Sequence, residues 1–175
     1  DVVVGKIVEA LLDIIRTLQM THLIANGLEP VDIMELKRIR ENMLKKLEIA
    51  KKWLRDYPAP TKGPGELAVR SFLSDALDIA DKSGLGYLAE IIRQRVKQCT
   101  GNTDFLCEIR DNNLGTSQEG IQKSNLIERE LDDILAAVDE AIAKAEELQN
   151  LRDEINRLME DAHEWLADPT AHTGP

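Results

Sequence analysis

Residues 35–56 read ELKRIRENMLKKLEIAKKWLRD, and residues 147–168 read ELQNLRDEINRLMEDAHEWLAD. Set in step at an offset of 112, Glu35, Leu36, Arg40, Glu48, Ala50, Trp53, Leu54 and Asp56 match Glu147, Leu148, Arg152, Glu160, Ala162, Trp165, Leu166 and Asp168. Eight identities in 22 positions exceed the roughly one or two that ordinary composition gives by chance. Each copy runs on into a proline-containing linker that closes in Gly-Pro, at Gly63-Pro64 and at Gly174-Pro175. The reading is an internal repeat of about three helices. In each copy the last turn of a helix buries a tryptophan. Asp56-Tyr57-Pro58 or Asp168-Pro169 then stops the helix, and the chain returns as the next one. The junction residues Trp53, Leu54, Asp56, Gly63, Pro64, Trp165, Leu166, Asp168 and Pro169 are the candidate structural site.

The rest of the chain agrees with an all-helical fold. Apolar residues make up 43% and aromatics 3%, and Leu, Ile, Ala, Glu, Asp, Lys and Arg dominate. Straight-chain helix formers in this proportion favour helices over sheets. Five helical segments follow from apolar spacing of three and four. The first spans about 2–25 on Val4, Val8, Leu11, Ile15 and Leu18, and Asn26-Gly27 breaks it. Pro30 fits the first turn of the second, about 31–57, striped by Leu36, Ile39, Met43, Leu47, Ala50 and Leu54. The third, about 65–82, turns Leu67, Ala68, Phe72, Leu73, Ala76, Leu77 and Ala80 inward, and Ser83-Gly84 stops it. The fourth starts near Leu85 and carries Leu88, Ile91, Ile92, Val96, Cys99, Leu106 and Ile109. Gly101 is a weak point of about 1 kcal/mol in it.

The fifth helix runs from about 117 to 167 without proline, on Ile121, Ile134, Val138, Ile142, Ala145, Leu148, Leu151, Ile155, Leu158, Ala162 and Leu166. Ser117, with Gly120 behind it, marks its N-cap. At about 75 Å it exceeds a small domain, so its halves are expected to serve different bundles. The expected architecture is a set of elongated, antiparallel four-helix-bundle repeats sharing this long helix. Residues 30–145 form one bundle, 1–25 lie in or near a preceding one, and 146–175 begin the next. The acidic run Glu128, Glu130, Asp132, Asp133, Asp139, Glu140, Glu146 and Glu147 faces the basic side of the second helix: Lys37, Arg38, Arg40, Lys45, Lys46, Lys51, Lys52 and Arg55. A start at Asp1 without Met leads us to expect a piece of a longer protein that stops at a repeat boundary.

The stretch WLRDYPAPTKGPGELAVRSFLSDA, with WLADPTAHTGP one period later, resembles the repeat junctions in the head of the vinculin/α-catenin family. There the pattern is Trp-Leu-x-Asp-Pro, a Gly/Pro linker, then Gly-Glu-x-Ala-Ile-Arg. Ile14 to Gln19 is similar to the family's helix entering this region, and the likeness covers essentially the whole chain. The resemblance implies the second repeat region of the head, in the vinculin branch. The α-catenin branch, an adherens-junction adaptor, shares the bundle plan but matches these junctions less well. It further implies a cytoplasmic adaptor at cell–matrix or cell–cell adhesions, joining talin or α-catenin helices to F-actin through regions outside this chain. This segment then acts as a spacer touching neighbouring head bundles and the protein's own basic tail.

Chemistry of other kinds finds little support. With 32 acidic and 22 basic residues the net charge is −10, which disfavours nucleic acid and direct binding to anionic membranes. No apolar stretch approaches the ~20 residues of a membrane span. Cys99 and Cys107, about 12 Å apart if on one helix, cannot bridge within it. Two isolated thiols suit a reducing compartment. His22, His163 and His172 are scattered, whereas a metal site needs three or four convergent ligands. Neither metal nor cofactor is implied. One alternative of a different class is an acidic all-α metal-dependent nucleotide hydrolase, using Glu128 to Asp133 with Glu108 and Asp111. A solvated acidic face accounts for the same residues.

Overall fold

A computed structural model describes residues 2–26, 31–55, 63–111 and 117–168, with the side chains of 18–26 outside that description. Among these residues the chain is all-helical: α1 (Val2–Asn26), α2 (Ile33–Arg55), α3 (Pro64–Lys82), α4 (Gly86–Asp111) and α5 (Gln118–Ala167). No strand occurs among them. They fall into two compact units. One is Val31–Ala145; the other is Asp1–Pro30 with Glu146–Pro175.

Local chemistry sets the helix ends. Asp32 caps α2: its carboxylate Oδ1 accepts the Glu35 amide at 3.1 Å, and its carbonyl accepts the Leu36 amide at 3.2 Å. The helix therefore opens at Ile33, two residues later than the apolar pattern indicates, and the expected first-turn role of Pro30 lies outside the described residues. Ser117 caps α5 as expected, its hydroxyl accepting the Gly120 amide at 3.1 Å. After α3, Gly84 adopts a φ of 69°, the left-handed turn that ends helices and suits glycine.

Gly101 does not break α4, which is continuous from Gly86 to Asp111. A Cβ built there meets nothing within 4 Å. Gly101→Ala is therefore expected to stabilise the protein by about 1 kcal/mol, because alanine lowers the entropy of the unfolded chain at no steric cost. A chemical-denaturation midpoint that fails to rise would contradict this.

The unit Val31–Ala145 is an up-down-up-down four-helix bundle, and cross-helix contacts give its register. Between α2 and α3, Lys46 meets Asp75 at 2.6 Å and Lys82 meets Glu35 at 3.3 Å. Between α3 and α4, Arg70 meets Asp104 at 3.2 Å and Arg93 meets Asp81 at 3.0 Å. Across α4 and α5, Arg95 donates to the Asp133 carbonyl at 3.0 Å, and Asn102 donates to Glu130 and accepts from Lys123. Arg40–Asp139, Lys51–Asp132 and Arg55–Glu128 close the ring between α5 and α2. In every pair one number rises as the other falls, so each neighbour is antiparallel. The last three pairs also realise the expected meeting of the basic helix with the acidic one.

The core is a single cluster drawn from all four helices. On α2 the buried set is Leu36, Ile39, Met43, Leu47, Ala50, Trp53 and Leu54. Each large side chain so buried is worth roughly 1.5–3 kcal/mol. On α3 the packing corrects the sequence reading. Val69 and Ile79 are fully buried, while Leu67 and Leu77 are exposed. Leu67 lies two residues from both Gly65 and Val69, hence about 200° round the helix from two inward positions. On α5 the inward line is Ile127, Leu131, Ile134, Val138, Ala141 and Ala145. Its first two members are absent from the expected stripe, although they continue the same spacing.

In the other unit α1 buries Ile15 and half-buries Val4, Ile7, Val8 and Leu11, and α5 contributes buried Ile155 and Ala162. Leu151 and Leu158, expected inward, are exposed. Among the described residues this unit holds only α1 and the end of α5. A single neighbouring helix covers a narrower stripe than the three neighbours available in a bundle, and these two leucines flank the buried line.

Candidate functional site: the α2–α3 junction

The junction is built from the last turn of α2 and the first turn of α3. Trp53 is 8% exposed and Leu54 is fully covered. Asp56 and the linker to residue 62 lie outside the described residues. The chain is described again at Gly63, the N-cap of α3, with φ 156° and ψ −159°, a region essentially restricted to glycine. Pro64 takes the first helical position, where its missing N–H costs nothing. The Gly63 carbonyl accepts the Leu67 amide at 3.2 Å.

Gly65 is the contact that joins the two helices. A Cβ built on it would fall inside the Trp53 side chain, overlapping Cβ, Cγ and Cδ1. The indole therefore lies directly on the backbone of the first turn of α3. Gly65 belongs to the quoted GELAVR stretch but is missing from the expected junction residues. Its signal was a glycine inside a helix, where alanine would ordinarily be favoured by about 1 kcal/mol.

Glu66 pins the same turn to α4. Its carboxylate accepts the Cys107 thiol at 3.3 Å and pairs with Arg110 at 3.3 Å, both carboxylate and guanidinium being largely buried. Burial works to raise the Glu66 pKa, but the thiol and the guanidiniums of Arg110 and Arg70 outweigh it and lower it overall. Burial also pushes the Cys107 thiol up, and pushes Cys99, fully inside the core, up to about 12. Both cysteines are free, and neither environment favours a nucleophilic thiolate.

At the opposite end of the bundle Glu35 receives two hydrogen bonds from Arg38, at 2.8 and 2.6 Å, and one from Lys82 at 3.3 Å. The Arg38 guanidinium, with Lys82, holds its pKa at about 2, below the ordinary 4.5. A depressed carboxylate pKa contributes stability that is present above pH 4.5 and lost as the pH falls toward 2. A carboxyl-carbon NMR titration is expected to give a Glu35 midpoint near 2. Arg38→Gln should move it upward; a wild-type midpoint near the ordinary value would contradict the pairing.

The second copy of the motif is less buried. Trp165 and Leu166 are half-buried, Asp168 is exposed, and Pro169 with 170–175 lies outside the described residues. Each copy is expected to bury its tryptophan in a last helical turn; Trp53 is buried and Trp165 is half-buried. The described part of the second unit supplies one neighbouring helix where Trp53 has a full bundle.

Several of the carboxylates weighed for catalysis have partners within the bundle, among them Asp111, which pairs with Arg110, while Glu130 keeps one buried oxygen without a hydrogen bond. Glu128 pairs with Arg55, Asp132 with Lys51, and Glu130 accepts from Asn102. Among the described residues no three His, Cys, Asp or Glu side chains converge as metal ligands. A shallow groove between α4 and α5, lined by Phe105, Glu119, Gln122, Lys123 and Leu126, is partly filled by Lys123 itself, 4.9 Å from the Phe105 ring centre. The junction fixes the end of α2, the start of α3 and the end of α4 in one register. Among the described residues no helix is long and apolar enough to cross a membrane.

Known proteins similar to this chain carry one name. Vinculin of Gallus gallus is 32% identical over 160 residues, covering 90% of this chain and 14% of that protein. Vinculin of Rattus norvegicus is 31% identical over 166 residues, 95% of this chain and 16% of its own length. Vinculin of Drosophila melanogaster is 26% identical over 172 residues, 97% and 18% respectively. The chain thus spans less than a fifth of the length of these relatives. No family model matches it, and no solved structure matches it significantly.

Proposed function

The chain is a segment of the vinculin family, and from that premise we propose that it is a non-catalytic scaffold segment within a cytoskeletal adhesion adaptor. Its role is to hold modules outside this chain at a set separation and orientation. Those modules capture partner helices of the talin or α-catenin kind and F-actin, and the whole works in the cytoplasm at cell–matrix or cell–cell adhesions. The segment corresponds to the second repeat region of the head, with Trp53, Leu54, Asp56, Gly63 and Pro64 as one repeat junction and Trp165, Leu166, Asp168 and Pro169 as the next.

The observation that carries the reading is the Trp53–Gly65 contact together with the Glu66–Cys107–Arg110 cluster. A spacer that transmits load needs helix ends that do not slide, and this junction locks three helices by an indole seated on backbone and by a largely buried ion pair. The closely packed core gives the same rigidity, since interiors at crystal-like density transmit strain.

The test is a replacement in the full-length adaptor. Residues Val31–Ala145 are exchanged for a flexible Gly/Ser linker, which behaves as a random coil. Partner capture by the flanking modules should persist while traction force measured on deformable substrates falls. Unchanged traction would refute the scaffold reading.

A further inference from the structure

The seam between α4 and α5 is built differently from the rest of the bundle. The buried positions of α2 and α3 are apolar or glycine throughout. On α5 the inward line is large and apolar from Ile127 through Leu131 and Ile134 to Val138, all fully covered. Before Ile127 it holds Ser124, 2% exposed, and the buried Gly120. On α4 the inward line includes Thr103, 1% exposed. Asn102 touches both Lys123 and Glu130, so Thr103 and Ser124 share one stretch of the seam.

Polar groups in this stretch are left unmatched. Thr103 turns its hydroxyl to the Cys99 carbonyl of its own helix at 2.9 Å. Among the described residues the Ser124 hydroxyl finds no partner, and neither does one buried oxygen of Glu130. A buried polar atom without a partner carries its full desolvation penalty, which is relieved when the helices part. The contacts that tie residues 118–130 to their neighbours are polar and partly exposed. Lys123 donates to Asn102 at 2.9 Å and lies over the Phe105 ring, Asn102 donates to Glu130 at 2.5 Å, and Arg55 pairs with Glu128. Such ties are weak and are screened by salt. The neighbouring helix ends are held more firmly, by Trp53 on Gly65 and by Glu66 with Cys107 and Arg110. We infer that residues 118–130 of α5 form a strap that lifts from α4 while α2, α3 and α4 stay joined. Lifting uncovers Cys99, which is fully buried and faces Glu130 across the seam. This inference stands apart from the scaffold reading, since it concerns a motion within the Val31–Ala145 unit and needs no partner.

The test is alkylation of Cys99 by iodoacetamide, a neutral reagent, followed by mass spectrometry. It uses the 175-residue chain with Cys107→Ser, which removes the second thiol and keeps a donor for Glu66. Labelling is expected at a rate that low urea leaves nearly unchanged, as for a local opening. Ser124→Ala removes the unmatched hydroxyl and should slow labelling at least about fivefold. Raised salt should speed it. Labelling that climbs with urea as steeply as global unfolding would overturn the proposal. So would an unchanged rate in Ser124→Ala or in raised salt. Hydrogen exchange of the unsubstituted chain gives an independent readout that survives a variant's failure to fold. Residues 118–130 should exchange well ahead of residues 66–80 and 102–111. Equal protection, or opening of 102–111 together with the strap, would overturn the proposal.

Discussion

Trp53→Ala is expected to destabilise the bundle by about 3–5 kcal/mol, the range for truncating a buried aromatic where surrounding structure relaxes only partly. Trp53 is almost fully covered, and its indole rests on backbone at Gly65, which cannot move in to fill the space without shifting α3. Trp165→Ala, at a half-buried position, should cost only about 1 kcal/mol. The measurement is a denaturant melt of each variant followed by circular dichroism at 222 nm, which does not depend on the tryptophan removed. Equal shifts of the midpoint would mean that the two copies of the motif are equally buried, contrary to the structure.

The second large effect is at Gly65. Alanine at an unobstructed helical glycine stabilises by about 1 kcal/mol, as expected at Gly101. At Gly65 the same change drives a methyl group into Trp53. Neither neighbour is a flexible side-chain tip, so the helices must part. Gly65→Ala is expected to destabilise by about 1–3 kcal/mol, the usual cost of overpacking. The sign therefore reverses between two glycines of similar helical setting, and the difference isolates the contact. A double-mutant cycle sharpens the test. The Cβ of Trp53 is itself among the atoms met, so the partner substitution is Trp53→Gly. In that background Gly65→Ala should become neutral or stabilising. A cost that persists undiminished would show that something other than Trp53 requires the glycine.

How legible these features were depends on the contrast between helix faces. On α2 the inward residues are separated by charged ones, and the expected stripe is buried from Leu36 to Leu54. α3 is apolar or small at many positions all round, with Leu67 and Leu77 competing against Val69 and Ile79. Spacing alone does not rank two overlapping stripes; a Cβ pointing at a neighbouring helix does. On α5, Ile127 and Leu131 continue the line of Ile134 and Val138, and counting back from those positions would have found them. Of the junction residues, Trp53, Leu54, Gly63 and Pro64 were visible as a stop and a restart of helix. Gly65 was not, because its requirement comes from a side chain twelve positions away.

The sequence by itself determined where most helices run and where several of them stop, and it shows eight identities in 22 between residues 35–56 and 147–168 at an offset of 112. Capping, proline exclusion and apolar periodicity act over a few residues, and so they can be read without knowing the neighbours. It also carried the family likeness, because the junction pattern is contiguous in the chain. Only the tertiary structure decided which apolar face is inside, which acidic residue meets which basic one, and why one tryptophan is buried and its copy half-exposed. It also decided where one unit yields to the next within an unbroken α5. Those outcomes depend on what other helices bring to each surface. Trp53 lies in a four-helix unit with a glycine cut to receive it, while Trp165 carries the matching Trp-Leu-x-Asp motif and, among the described residues, its unit offers one neighbouring helix.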